Sequence, residues 1–289
     1  MNPAALAPTY SWSMGDLRID AISDGLYPRR MHNLFQGVPD TQWAAVCGLD
    51  DPEDELQFSM NCFLIRGPQL SVLVDTGVAG AIPAPAGSSG WGTLLQSLAA
   101  LEVSPEEINQ VVHTHLHLDH CGWDTDADEV DPTFPNAQHL VSDRELAFWM
   151  SQDPEFPGPR LRERGVRARM RCLIEAGLLR TFTGEHQASP GITCFPTPGH
   201  TPGHSSVHVS SRGGHLILTG DSAYHHAHLL HPSWVAEIDV DADESARSRR
   251  ALAERALRLD AQIAFSHMRV PPLGRLAADD ADGYRWVPS

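Results

Sequence analysis

The sequence predicts a layered α/β domain, with two β-sheets inside and helices outside. Three observations carry this. Extended apolar runs and longer helically spaced runs alternate, so that an order of strands followed by a helix occurs twice along the chain. Several of the extended runs end in His or Asp, which gathers polar side chains along one edge of the sheets, where pockets form. The 289 residues, 42% hydrophobic and 20% charged, suffice for a sizeable core of ordinary composition, with no close repeat and no low-complexity segment.

Each element follows from its local pattern. DLRIDAISDG (16–25) alternates and ends in Asp-Gly, a strand and a turn. NCFLIRG (61–67) and QLSVLVDTG (69–77) read as a hairpin of buried strands around Gly67-Pro68. Before them, 33–58 is a long irregular stretch, and 30–60 is expected to act as a lid or substrate-pocket loop. GWGTLLQSLAALEV (90–103) has the helical spacing Leu94, Leu95, Leu98, Leu101. SPEEINQ (104–110) opens with a capping box, Ser104 and Glu107, with Pro105 at the first helical position. VVHTH (111–115) and AQHLVS (137–142) are short buried strands, and Ser142 and Glu145 suggest a second capping box. The basic stretch 159–177 reads as a helix with a solvated face. GITCFPTPG (191–199), SSVHVSS (205–211) and HLILTGD (215–221) are strands. A long amphipathic helix at 241–260 places Ala246, Leu252, Leu257 and Leu259 near one side, and AQIAFSH (261–267) is the last strand.

Whole-chain properties exclude several functions. The formal net charge of −16, with no offsetting Lys/Arg run, repels phosphate backbones, so no nucleic-acid partner is expected. The start shows no basic segment leading into an apolar one, and no apolar run approaches a membrane span. A cytoplasmic protein without a membrane partner is the expectation. Cys47, Cys62, Cys121, Cys172 and Cys194 are odd in number, widely spaced and lack a CxxC pair, which argues against disulfides and thiolate zinc sites. They read as small buried hydrophobes, although Cys121, next to His120, is also a candidate pocket residue.

The chemistry concentrates in VVHTHLHLDHCGWDTD (111–126), where four of the 16 histidines fall within eight positions. At the end of an extended strand, positions i and i+2 face one way, so His115 and His117 can reach one metal. Asp119 and His120 follow where the chain turns out, and can reach towards a second. Later strand ends supply His200, Asp221 and His267 as further candidates. Imidazole and carboxylate suit zinc, iron, manganese or cobalt. Buried His and Asp seldom gather at strand ends without a task.

HLHLDH, VLVDTG, TPGHTPGHS and LTGDS together resemble the metallo-β-lactamase fold superfamily. The resemblance implies a four-layer αββα sandwich, one domain over 1–289, and a binuclear centre of two divalent metal ions, zinc foremost, with manganese, iron or cobalt as alternatives. It implies His115, His117 and His200 on the first metal, Asp119, His120 and His267 on the second, Asp221 bridging, and Asp75 orienting the ligand loop. Ser266 precedes His267 where many members carry glycine, a departure in the last motif.

Within the superfamily, flavodiiron reductases carry Glu where His117 stands, persulfide dioxygenases lack a full second site, and true β-lactamases usually carry Cys or Ser where Asp221 stands. Nucleases of the fold act on polyanions, which the charge disfavours. Glyoxalase II shares the ligand set, but no basic cluster near the C-terminus suits a glutathione carboxylate. What remains is a hydrolase of small neutral esters or lactones. Tyr224, three residues after Asp221, resembles the active-site tyrosine of N-acyl-homoserine lactonases. MNCFLIRG, FPNAQHLVSDRELAFW and HHAHLLHPSW resemble the methyl parathion hydrolase branch, which acts on phosphotriesters and aryl esters. Lactone opening is the favoured function, with the phosphotriesterase as the alternative and a thioesterase or an iron-dependent redox enzyme behind it. The expected mechanism is attack by a metal-bridging hydroxide, with Asp119 and Asp221 among the catalytic groups, Asp221 carrying the proton to the leaving alkoxide, and Tyr224 donating to the oxyanion. No G-x-S-x-G elbow is present. Family resemblance also suggests a homodimer.

Other residues have plainer readings. His113 is expected to be a packed strand histidine and His204 a hydrogen-bonding neighbour of the ligands. His225, His226, His228 and His231 read as pocket walls or surface rather than a third metal site. Phe35, Trp43 and Trp123 are candidates either for an apolar acyl pocket or for the core.

Overall fold

The computed structural model describes residues 6–126, 128–151, 160–279 and 283–289, with the side chains of 160–164 and the first five positions of the chain start outside that description. Two seven-stranded sheets form its centre. The first runs in chain order through β1 (Thr9–Met14), β2 (Leu17–Arg29), β3 (Leu56–Gly67), β4 (Leu70–Val74), β5 (Gln110–Val112), β6 (Gln138–Ser142) and β7 (Leu179–Phe182). Its first four strands pair antiparallel and the rest parallel. The second contains β8 (His186–Ser189), β9 (Ile192–Pro196), β10 (Ser205–Ser211), β11 (Gly214–Leu218), β12 (Gln262–Ala264), β13 (Leu273–Ala278) and β14 (Tyr284–Pro288). Only β11 and β12 pair parallel there, because a long helix, Ala242–Leu259, intervenes.

Alternation in the strands builds the layers. Phe63, Ile65, Val72 and Val74 point inward and meet Val207, Val209, Leu216 and Leu218 of the opposite sheet in one buried cluster. Their neighbours Leu64 and Leu73 point outward, against Leu94 and Leu98 of α2 (Leu94–Ala100). On the second sheet, Ile217 and Ile263 point outward against Leu252, Ala253 and Ala256 of α7 (Ala242–Leu259). Val141 faces Val166, Met170 and Leu173 of α5 (Arg160–Glu175). Helix, sheet, sheet and helix therefore stack in four layers. Burying each such Leu or Ile contributes about 1.5–3 kcal/mol.

Several expectations need correction. Asp24-Gly25 is no turn: β2 runs on to Arg29, and a bulge between Ser23 and Leu26 absorbs the irregularity. Asp24 is buried and accepts from the backbone N–H of Val78, Ala79 and Leu94 and from Trp123 Nε1. The stretch 33–58 is not irregular, since it contains α1 (Asp40–Cys47), which ends on Gly48 in left-handed conformation. Phe35 and Trp43 stack on each other in a buried cluster and join the core, not a pocket. The strand β5 stops at Val112, so His113 and His115 lie just beyond it. The box at Ser104 forms, around a single 3-10 turn. At α4 (Asp143–Met150) no such box exists, because Glu145 turns its carboxylate inward. AQIAFSH is not the last strand, since β13 and β14 follow. In the basic helix, Arg169 is buried and pairs with Glu129 at 2.5 Å, so that part of its face is not solvated. Cys121 packs among Leu116, Leu118 and Val141 rather than lining a pocket. No helix of the described residues is long and apolar enough to cross a membrane.

Candidate metal centre

The seven candidate ligands come together, although they span residues 115 to 267. His115 and His117 follow β5. Asp119 and His120 sit on α3 (Leu118–Cys121), whose four residues turn the chain sharply away from the strand. His200 follows β9, Asp221 lies in the 3-10 turn after β11, and His267 follows β12. Ligand atoms of His115, His117, His200 and Asp221 lie within 4.8 Å of one another, and so do those of Asp119, His120 and His267.

Asp221 faces both groups. Its Oδ2 is 3.6 Å from His200 Nε2 and 3.9 Å from His115 Nε2. Its Oδ1 is 2.9 Å from His267 Nε2 and 3.2 Å from His120 Nε2. That Oδ1 is buried without a hydrogen bond, because the imidazole edges around it are not oriented as donors. His117 turns its Nδ1 to the first group, 3.0 Å from His115 Nε2 and 2.8 Å from His200 Nε2. A cation between these nitrogens would take up lone pairs that now face one another. Five imidazoles and two carboxylates in two clusters fit two divalent ions of the zinc, manganese, iron or cobalt type.

The outward nitrogens of His115, His120, His200 and His267 are engaged, which favours one tautomer for each. His120 Nδ1 donates to Asp75 at 2.8 Å and His267 Nδ1 to the Ser59 carbonyl at 2.9 Å. His115 Nδ1 meets Thr114 Oγ1 at 3.1 Å, and that hydroxyl donates to Asp75 at 2.8 Å. His200 Nδ1 lies 3.3 Å from Asp239 and 3.1 Å from the Tyr224 hydroxyl. Asp75 sits at φ 59°, a left-handed conformation that Asp tolerates better than most residues, and so turns from β4 to reach the ligand loop.

Burial, then the neighbouring imidazoles, lower His117 to about 3 and His115 well below the usual histidine range, leaving lone pairs available. Burial also opposes charge on His120 and Asp221. At His120 the carboxylates of Asp221, Asp75 and Asp119 outweigh it and raise the ring well above the usual range. At Asp221, His267 and His120 outweigh it and hold the carboxyl well below the usual range.

Three supporting residues escaped the sequence reading. Glu145 Oε1 accepts from Leu116 N–H and Trp149 Nε1, while Oε2 accepts from Thr201 Oγ1 and Gly203 N–H. It thereby ties the loop of His115 to the loop of His200. Asp239 joins His200 to the buried Arg249, which it meets at 2.7 Å. Ser59 fixes His267 through its carbonyl, a contact that no side-chain motif signals. The two glycines of TPGHTPG have a packing reason: a Cβ at Gly199 would stand 2.2 Å from Ser245 N, and one at Gly203 2.0 Å from Glu145 N.

The other residues fall as follows. His204 accepts from the Asp221 N–H at 3.0 Å and thus positions the shared carboxylate. His113 is packed, against His139 at 3.2 Å, though beyond the strand. The histidines at 225–231 gather around no common point. His226 stacks on Trp286, His231 stacks on Trp234, and His228 donates to the Leu34 carbonyl. Trp123 donates to Asp24. Tyr224 lines a cavity of about 240 Å³ above the centre, with Tyr27, Phe58, Met60, Ile82 and Trp91 among its walls. Asp119, Asp221 and His267 form part of its floor.

The sequence model of the metallo-beta-lactamase superfamily matches residues 57–267. The chain is 28% identical over 271 residues to an N-acyl homoserine lactonase AttM of Azorhizobium caulinodans, covering 88% of this chain and 94% of that one. It is 24% identical over 192 residues to an N-acyl homoserine lactonase of Bacillus cereus, covering 60% of this chain and 67% of the other. Among solved structures it resembles the hydrolase AbOPH in the beta lactamase superfamily, at 26% identity and a TM-score of 0.84, with 98% of each chain covered. It also resembles AidC, a dizinc quorum-quenching lactonase held with its product N-hexanoyl-homoserine, at 23% identity and a TM-score of 0.82, again with 98% of each chain covered. At that identity the AidC likeness speaks to fold alone.

Proposed function

This chain belongs to the metallo-beta-lactamase superfamily, and from that premise we propose that it is a binuclear metallohydrolase that opens N-acyl-homoserine-type lactones. One observation carries the proposal: Asp221 turns one oxygen to each of two ligand groups at the floor of a largely apolar cavity. His115, His117 and His200 would hold one divalent ion, Asp119, His120 and His267 the other, and Asp221 would serve both. Zinc is the proposed metal. When bound, the ions supply a water of lowered pKa and polarise the carbonyl.

The chain's own groups do the rest. Water adds to the lactone carbonyl, the ring C–O bond breaks, and the water's proton ends on the departing alkoxide. Asp221 and Asp119, the two carboxylates that line the cavity, carry that proton. Tyr224 supports the oxygen that gains charge. With His200 Nε2 turned to the ligand group, its Nδ1 holds the proton, so the Tyr224 oxygen accepts there and its own O–H remains to donate. Burial raises the phenol well above its usual range and keeps that proton in place. Of the segment 30–60, Phe58 and Met60 wall the cavity, and the whole chain acts as one unit around it. The five cysteines, free of disulfides, fit a reducing cytoplasm.

Aryl esters and phosphotriesters are the second reading, favoured by the aromatic walls Tyr27, Phe58 and Trp91. The test is kcat/KM for an N-acyl-homoserine lactone and for an aryl phosphotriester on one metal-replete preparation. A lactone preference of a hundredfold, about 2.7 kcal/mol, sustains the proposal. The opposite preference replaces it with the second reading. Tyr224→Phe is then expected to lower kcat for the lactone by about tenfold to a hundredfold.

A further inference from the structure

Arg29 closes β2 and lines the same cavity, where among the described residues it is the one Arg or Lys in the walls. Its guanidinium lies over Phe58, 4.7 Å from the ring centroid. It donates to Tyr27 Oη at 2.9 Å and to Asn33 Oδ1 at 3.2 Å. All three partners are neutral. Among the described residues Arg29 forms no ion pair, whereas Arg66, Arg169, Arg249 and Arg255 are each matched by a carboxylate. Asp119 and Asp221 share the cavity, but their charge is directed to the metal groups.

A guanidinium offers five N–H donors in a rigid plane. Stacking on Phe58 fixes that plane, and Tyr27 and Asn33 fix the rotation within it. Donors remain that these contacts do not use. The neighbouring walls Phe58, Met60, Ile82, Trp91 and Ile238 suit a hydrocarbon arm. Arg29 is half-buried at this wall, and the N–H donors left over by Tyr27 and Asn33 can reach an oxygen acceptor on a molecule bound in the cavity.

We infer that Arg29 is a specificity-determining residue, which holds a carbonyl oxygen on the substrate arm remote from the scissile ester. In an N-acyl-homoserine lactone that oxygen is the amide carbonyl. The inference rests on the lactonase reading above. The arm does not react, so the contact is equally strong in the ground and transition states. Its loss therefore appears in KM and not in kcat.

The test compares two substrates on wild type and Arg29→Met: an N-acyl-homoserine lactone, and an alkyl γ-lactone of equal chain length without the amide. Arg29→Met is expected to raise KM for the first at least about tenfold more than for the second, with kcat nearly constant. Arg29→Lys keeps the charge but not the fork, and is expected to recover only part of that difference. An equal rise for both lactones, or a fall confined to kcat, overturns the inference. If wild type opens neither lactone, the lactonase reading fails by itself. Calorimetric binding of open-chain N-acyl-homoserine to the metal-loaded proteins then decides on Arg29: binding about tenfold weaker in Arg29→Met sustains its role, and equal affinity overturns it.

Discussion

Two groups of buried His and Asp both draw on the segment that runs from His113 to Asp124, and they differ in what surrounds them. The first holds the seven ligand candidates around Asp221. The second contains His113, Asp124 and His139, with His113 Nε2 3.2 Å from His139 Nδ1 and 3.4 Å from Asp124 Oδ2. Donor spacing is as tight in both. In the first group the outward nitrogens find acceptors, and a cavity opens above. In the second, His113 Nδ1, His139 Nε2 and Asp124 Oδ2 are buried without partners. Burial pushes Asp124 up to about 6 and His139 well below the usual range, so His139 stays neutral while Asp124 keeps its charge only above about pH 6. Residue type and spacing thus nominate a metal site, while the partners behind the rings and the opening in front decide it.

The comparison can be broken or sharpened, and the largest effect is expected at Asp221. Asp221→Ala removes the one group shared by both clusters. Bound metal should fall below two ions per chain by elemental analysis, and kcat/KM should drop by about a thousandfold. A variant that kept two ions and full rate would erase the distinction drawn here. Next comes Glu145→Ala, which strips an acceptor from four donors. Urea unfolding should show a loss of about 3 kcal/mol, with weakened metal retention because the two ligand loops come apart.

A smaller effect concerns imidazoles outside both groups. Burial lowers His226 and His208 to about 4, whereas the unfolded chain titrates near 6.5. Between those values the unfolded state binds protons that the folded state refuses. Their contribution is therefore present above about pH 6.5 and is lost as pH falls towards 4. His226, the more buried, should cost about 1–2 kcal/mol at pH 5 relative to pH 7, and a urea midpoint that falls less in His226→Phe would show it. The smallest effect is expected at His139. His139→Asn should bind the same two ions as wild type, and a wild-type count of three falling to two in the variant would give the second group a metal after all.

The sequence made the ligands legible because rare residue types recur at short, geometrically meaningful spacings. HLHLDH needs only the local chain to be recognised. Glu145 was misread because its spacing from Ser142 fits a local cap, while its true partners Thr201 and Gly203 are more than fifty positions away. Asp239 carries no pattern, since its role exists only where His200 and Arg249 meet. Strands β3 and β4 were plain, as they are buried on both faces and read as apolar runs. The edge strands β8 and β14 were missed, since half-exposed residues leave little pattern there. Helix α1 was missed because its buried face amounts to Trp43 and Ala44.

The candidate ligands divide between the sheets. His115, His117, Asp119 and His120 follow strands of one, and His200, Asp221 and His267 follow strands of the other. On the proposed ligand set neither half of the molecule could grip an ion tightly alone, and each bound ion would act as a rivet across the seam between them. Metal affinity and the association of the halves are one equilibrium seen from two sides. A chelator titration followed by heat denaturation would therefore read the strength of that seam directly, and ion capture would belong to the last steps of folding, when the halves have already closed.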